Sequence, residues 1–279
     1  MRKAIVCLGV AAVLTAGWLI AGCSRARQAT RLIGSTSILP FAEMLAEEFN
    51  ALNPDMHVEV QGGGSAAGLQ AVADGIAEIG MCSRGLKSQE LEQYEPIVIA
   101  FDGLSVVVYP GNPVSDLSLE QIRGIFTGQI TNWSQLGGGD GPIHVITREE
   151  GSGTREAFQK MVMGEARISR RAVTQESNGA VKELVRNDPA SIGYMSMGLA
   201  GELKNLSIAH ARPTRQNVLP DSKGQRKYSL VRPFLFVTRK GAPMPTGAKR
   251  FVDFVLSPRG GAMLEKEGLV APRETGQSH

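Results

Sequence analysis

The stretch IHVITREEGSGTREAF, residues 143–158, changes its apolar periodicity halfway along. Ile143, Val145 and Ile146 predict a strand ending at Arg148, whereas Phe158, followed by Met161 and Val162, predicts a helix from Thr154 onward. Gly151, Ser152, Gly153 and Thr154 join the two. A strand that feeds a helix through a short turn is the building unit of α/β proteins. The serine between two glycines admits two chemistries: a nucleophile on a sharp turn, or one rung of a backbone cradle for an anion.

Working outward, the same junction recurs twice. Gly34-Ser35-Thr36-Ser37 follows Leu32-Ile33 and precedes Phe41, Leu45, Phe49 and Leu52 at helical spacing. Gly62-Gly63-Gly64-Ser65 follows the alternating Met56, Val58 and Val60 and precedes a helix over about 66–75. A helix start leaves N–H groups without partners and carries about half a positive charge, so it attracts an anion through neutral donors. One such start is an ordinary cap. Three of them after strands put their donors beyond the carboxyl ends of a parallel sheet, where α/β proteins bind ligands. Arg148 adds a fork suited to an oxyanion; its other reading is a salt bridge to Glu149 or Glu150.

The remaining chain continues the alternation. Ile79-Gly80-Met81 reads as a short strand, and LSVVVYP (104–110) as a buried one able to carry the chain between lobes. Ser118 and Gln121 form a capping box for a helix containing Leu119, Ile122 and Phe126. Another helix begins near Ser177-Asn178-Gly179 and ends before Asn187-Asp188-Pro189. Ile192–Met195 and Phe234–Val237 are strand-like, residues 211–229 read as a loop, and one final helix is expected from Phe251 past Pro258 to Gly268.

The amino terminus speaks for export. A basic start, an apolar run from Ala4 to Ile20 and small residues before Cys23 make 1–22 a signal segment. Ile20-Ala21-Gly22-Cys23 resembles the lipobox of bacterial lipoproteins, which implies acylation of Cys23 and a membrane tether over 23–30. Loss of Arg2 and Lys3 takes the net charge from +3 to +1, and with 5% aromatic residues nothing points to nucleic acid. Of three cysteines only Cys82 is left, so no disulfide framework is expected.

With these residues in view, the chain resembles the extracytoplasmic phosphate-binding proteins of bacterial phosphate ABC transporters. The matching segments are GSTSILP (34–40), VQGGGSAAG (60–68), IFTGQITNW (125–133), TREEGSGTR (147–155) and SNGAVKELV (177–185). The resemblance implies an α/β, two-lobed type II periplasmic-binding-protein fold. Each lobe would be a mainly parallel sheet flanked by helices, with lobe one over 31–105 plus 232–273, lobe two over 106–231 and a tail over 274–279. It also implies capture of inorganic phosphate outside the cytoplasmic membrane, hinge closure on the anion, and delivery to the permease subunits of an ABC transporter. A sensor lipoprotein for phosphate or another, sulfate-like oxyanion, without a transport role, is the alternative. No cofactor is implied, and a monomer is expected.

By the same resemblance Thr36 and Ser37 supply first-loop donors and Ser65 the serine of the second helix start, while Arg148, Ser152, Gly153 and Thr154 face them from the other lobe. Ser35, Ser83 and Ser177 are further candidates. Many family members carry an aspartate where this chain has Ser83, and that carboxylate accepts the proton of hydrogen phosphate. Asp102, before Gly103 and expected at a strand end, is the substitute acceptor here; a turn-forming aspartate is its other reading. Arg84 reads as solvent-exposed and Cys82 as a small core residue.

An enzyme is the rival class. The four histidines are scattered, Ser152 has no base in a motif, and Glu150-Gly-Ser-Gly-Thr154 is not a nucleophile elbow. No His/Cys group has metal-ligand spacing. The cradle is therefore the expected role of Ser152.

Overall fold

The computed structural model of the chain describes residues 29–272. The signal segment 1–22, Cys23, most of the tether 23–30 and the tail 274–279 lie outside the described residues. In chain order, β1 (Thr30–Gly34) leads to α1 (Leu39–Leu52), β2 (Val58–Gly62) to α2 (Ser65–Ala73), and β3 (Ile79–Cys82) to the long β4 (Tyr94–Val108). Then come β5 (Asp116–Leu117), α3 (Leu119–Thr127), β6 (His144–Arg148), α4 (Gly153–Phe158), β7 (Val173–Gln175), α5 (Asn178–Asn187) and β8 (Ser191–Ser196). The chain ends through β9 (Lys204–Asn205), β10 (Ser207–Ile208), α6 (Arg215–Val218), β11 (Val231–Arg239), α7 (Thr246–Leu256) and α8 (Pro258–Lys266).

The main sheet runs β2-β1-β3-β11-β4-β8-β6-β7. β1 lies parallel between β2 and β3, and β6 lies parallel between β8 and β7. The antiparallel β11 and β4 join these two parallel groups. Tyr94–Gly103 of β4 pairs with β11 and Leu104–Val108 with β8, so one strand serves both lobes.

Each lobe has its own apolar core. Leu32, Phe41, Leu45, Phe49, Ile79, Phe234, Phe236 and Phe251 fill the first. Leu104, Val106, Ile122, Phe126, Phe158, Ile192 and Tyr194 fill the second, where the Phe158 and Tyr194 rings stack at 4.0 Å. In the first core Phe251 is fully buried and meets the edge of Phe49 with centroids 5.4 Å apart. Truncation of such a ring leaves a cavity, so Phe251→Ala should lower stability by about 3–5 kcal/mol in urea unfolding.

Local chemistry explains the element ends. The Ser118–Gln121 capping box closes α3 at its start, with bonds of 3.1 and 2.9 Å, and Gly128 ends it in the left-handed conformation. The single final helix expected past Pro258 is two helices. Ser257 is extended and caps α8 while Pro258, which has no N–H, opens it, as proline suits a first turn and not a helix interior. The loop expected over 211–229 contains the short α6. Beyond Phe158 the helix widens into a π-turn over Gln159–Met163.

Candidate anion-binding site

The three strand-to-helix junctions meet at the border between the lobes. Ala66 N–H donates to Gly151 O at 3.1 Å, joining the α2 start to the β6–α4 turn through backbone alone. Ser65 is buried on one side and accepts the N–H of Ser83 at 3.1 Å. Gly153 faces this pair so closely that a Cβ there would lie 2.2 Å from Ser65 Oγ and 2.8 Å from Ser83 Oγ.

β6 aims the arginine. The hydroxyl of Tyr194, held by its stack on Phe158, accepts the N–H of Arg148 at 3.2 Å and bonds Thr147 Oγ1 at 2.8 Å. The salt-bridge reading of Arg148 is realised with Glu149. Its Nε and Nη2 fork Glu149 at 2.9 Å each, and Nη2 also reaches Thr36 Oγ1 in the other lobe at 3.1 Å. The residue is 1% exposed, yet Nη1 has no hydrogen-bond partner among the described residues. A buried guanidinium nitrogen with both hydrogens unused calls for an acceptor, because an unpaired buried donor is costly.

Ser37 is the hub of the network. Its Oγ lies 2.8 Å from Thr154 Oγ1, 2.9 Å from Asn178 Nδ2 and 3.2 Å from Arg232 Nη2. Arg232 Nη1 donates to Thr154 Oγ1 at 2.8 Å and to Ser83 O at 3.3 Å. Asn178 Nδ2 also lies 3.5 Å from Thr36 Oγ1, which links Thr36, Ser37, Ser65, Ser83, Arg148 and Thr154 in one polar cluster, with Gly153 packed against it. Ser35 and Ser177 bond within their own turns, Ser35 to the N–H of Ser37 and Ser177 as the cap of α5. Ser152 caps α4 through the N–H of Arg155 at 3.3 Å.

Asp102 stands in mid-strand, not at the strand end expected for it. The reason is Arg232, its direct cross-strand partner in the β4–β11 register, whose Nε and Nη2 both lie 2.9 Å from Oδ2. Ser196 Oγ donates to Oδ1 at 2.8 Å. Burial pushes the Asp102 carboxyl up from the ordinary aspartate range and pushes the Arg232 guanidinium down; each partner opposes the shift of the other. Arg84 is also a correction, since it is buried where exposure was expected. It forks Glu90 at 2.7 and 2.8 Å, and its Nε lies 3.0 Å from Glu156 of the other lobe, which Lys87 also contacts. Burial raises the Glu90 carboxyl, but its bonds to Arg84 and the Lys87 N–H prevail and hold it below the usual range.

Sequence reasoning missed Arg232 and Asn178. The signal for Arg232 was a charge inside the apolar run Val231–Val237, matching the charge inside the apolar run around Asp102. Asn178 directly follows the candidate Ser177 in the chain.

Two α/β lobes that share their central strands, with polar side chains from both meeting at the border, define the periplasmic-binding-protein fold. A family model described as a PBP superfamily domain matches residues 22–259. A protein from Clostridium perfringens, described as a phosphate ABC transporter substrate-binding protein and crystallised with bound phosphate, superposes with a TM-score of 0.83 at 37% identity, over 88% of this chain and 100% of the other. An ABC-type phosphate transport receptor from Vibrio cholerae is 36% identical, with a TM-score of 0.71 over 87% of this chain and 100% of the other. The phosphate-binding protein PstS of Bacillus subtilis is 32% identical over 205 residues, which are 71% of this chain and 67% of the relative. The chain belongs to the PBP superfamily, in the family of phosphate-binding proteins of ABC transporters.

Proposed function

We propose that the protein captures inorganic phosphate outside the cytoplasmic membrane, closes its lobes on the anion, and delivers it as a monomer to the permease of an ABC transporter. Lobe one is formed by 31–105 and 232–273 and lobe two by 106–231, and a lipid on Cys23 tethers the molecule to the membrane. The observation that carries the reading is the buried Arg148 guanidinium, whose Nη1 has no partner among the described residues while its Nη2 reaches the Thr36 hydroxyl of the opposite lobe at 3.1 Å. A guanidinium among hydroxyls and helix-start N–H groups binds a tetrahedral oxyanion by donation alone. In this reading Thr36, Ser37, Ser65, Ser152, Gly153 and Thr154 line the anion's site, and Asp102 acts through Arg232. The role is binding and not catalysis. The hydroxyl of Ser152 serves a cap, and the titratable groups nearest Ser37 and Thr154 are committed to ion pairs.

Calorimetry with phosphate, sulfate and molybdate in turn tests the ligand, with phosphate expected to bind most tightly. Ser152→Ala should weaken phosphate binding by about 1.5–3 kcal/mol, the range for a hydrogen bond to a charged group. Phosphate that gives no heat with the wild-type protein refutes the reading.

A further inference from the structure

Counting protons in the cluster leads past the identity of the ligand. Ser196 N–H donates to Asn178 Oδ1 at 3.2 Å, which fixes the amide so that Nδ2 faces Ser37. A serine hydroxyl has two acceptor sites and one hydrogen. Asn178 Nδ2 and Arg232 Nη2, both donors only, fill the two acceptor sites of Ser37. Ser37 therefore gives its hydrogen to Thr154 Oγ1, 2.8 Å away. Thr154 already accepts from Arg232 Nη1 at 2.8 Å, so both of its acceptor sites are also filled. Its own hydrogen is the one left over. The residues involved are closed off from solvent: Ser37 and Asp102 are 0% exposed, Thr154 and Asn178 1% and Arg232 2%.

We propose that Arg232, locked by Asp102, is a specificity-determining positioning residue: with Ser37 fully engaged inside the protein, it turns the Thr154 hydroxyl into a wall that only donates its hydrogen bond. The proposal rests on the oxyanion reading above and deepens it. Against such a wall a protonated phosphate oxygen meets a donor, whereas a bare oxygen of phosphate or sulfate meets a partner. Asp102 directs Oδ2 at Nε and Nη2 of Arg232 and accepts from Ser196 at Oδ1, so three of its four acceptor sites are spent inside the protein. The carboxylate sets the polarity of the site at one remove.

At mildly alkaline pH, hydrogen phosphate and sulfate are both tetrahedral dianions and differ by one proton. The ratio of their dissociation constants cancels loss of charge and isolates hydroxyl polarity. Two variants release the wall. The double change Asp102→Leu with Arg232→Met removes the pair without leaving an orphaned charge, an exchange that proteins commonly tolerate. Asn178→Leu removes one donor from Ser37 and leaves the pair intact. Calorimetry with each anion, on variants whose unfolding midpoints confirm folding, should show the preference for phosphate over sulfate rising at least fivefold in both, as Thr154 becomes able to accept. An unchanged or falling ratio in either variant overturns the proposal while wild-type phosphate binding leaves the oxyanion reading standing. A wild-type protein that binds neither anion removes both.

Discussion

Arg148→Lys should weaken phosphate binding by about 3 kcal/mol, on the order of a hundredfold in Kd, although the charge is kept. The guanidinium does several things at once that an ammonium cannot. Its Nε and Nη2 edge is spent on Glu149 at 2.9 Å per bond, Nη2 reaches Thr36 across the lobes, and Nη1 has no partner among the described residues. A lysine places one compact group at the end of a flexible stem and cannot hold the carboxylate and face the anion from opposite edges. With Glu149 incompletely held, its negative charge is also less well screened from the anion. Calorimetry on the variant, with its unfolding midpoint as a control, is the check; an affinity within threefold of the wild type would remove Arg148 from the site.

Gly153→Ala should weaken phosphate binding by about 1–3 kcal/mol, roughly 5- to 150-fold, through space alone. The added Cβ would lie 2.2 Å from Ser65 Oγ and 3.0 Å from Ser65 Cβ, and Ser65 belongs to the opposite lobe. A methyl group at this point is a spacer between the lobes. Both apolar cores lie elsewhere, so the unfolding midpoint without ligand should change little. Gly139→Ala is the matched control, since a Cβ there meets no atom within 4 Å. Equal affinity in the two variants would mean that the lobes need not approach as closely as Gly153 and Ser65 do.

The alternation of apolar runs and helical patterns made the α/β architecture legible, because burial on both faces of a parallel sheet leaves continuous apolar strands between amphipathic helices. The meeting of the three junctions was legible for a different reason: glycine, serine and threonine after strands mark helix starts, which a parallel sheet gathers beyond its carboxyl ends. Partners distant in the chain were not. Asp102 and Arg232 are 130 residues apart and meet only through the register of β4 against β11, which no local pattern specifies. Asp102 before Gly103 looks like a turn until its partner is known, and Arg84 looks exposed until Glu90 and Glu156 are placed beside it. The break between α7 and α8 was within reach, since Ser257-Pro258 is itself a helix-start signal.

The crystal structure of the protein grown with phosphate tests the central claim most directly. Phosphate oxygens should lie within hydrogen-bond distance of Arg148 Nη1 and the Thr36 and Thr154 hydroxyls at once, so that groups from both lobes hold a single anion. Phosphate bound beside the exposed Lys87, or touching groups of one lobe alone, would contradict it.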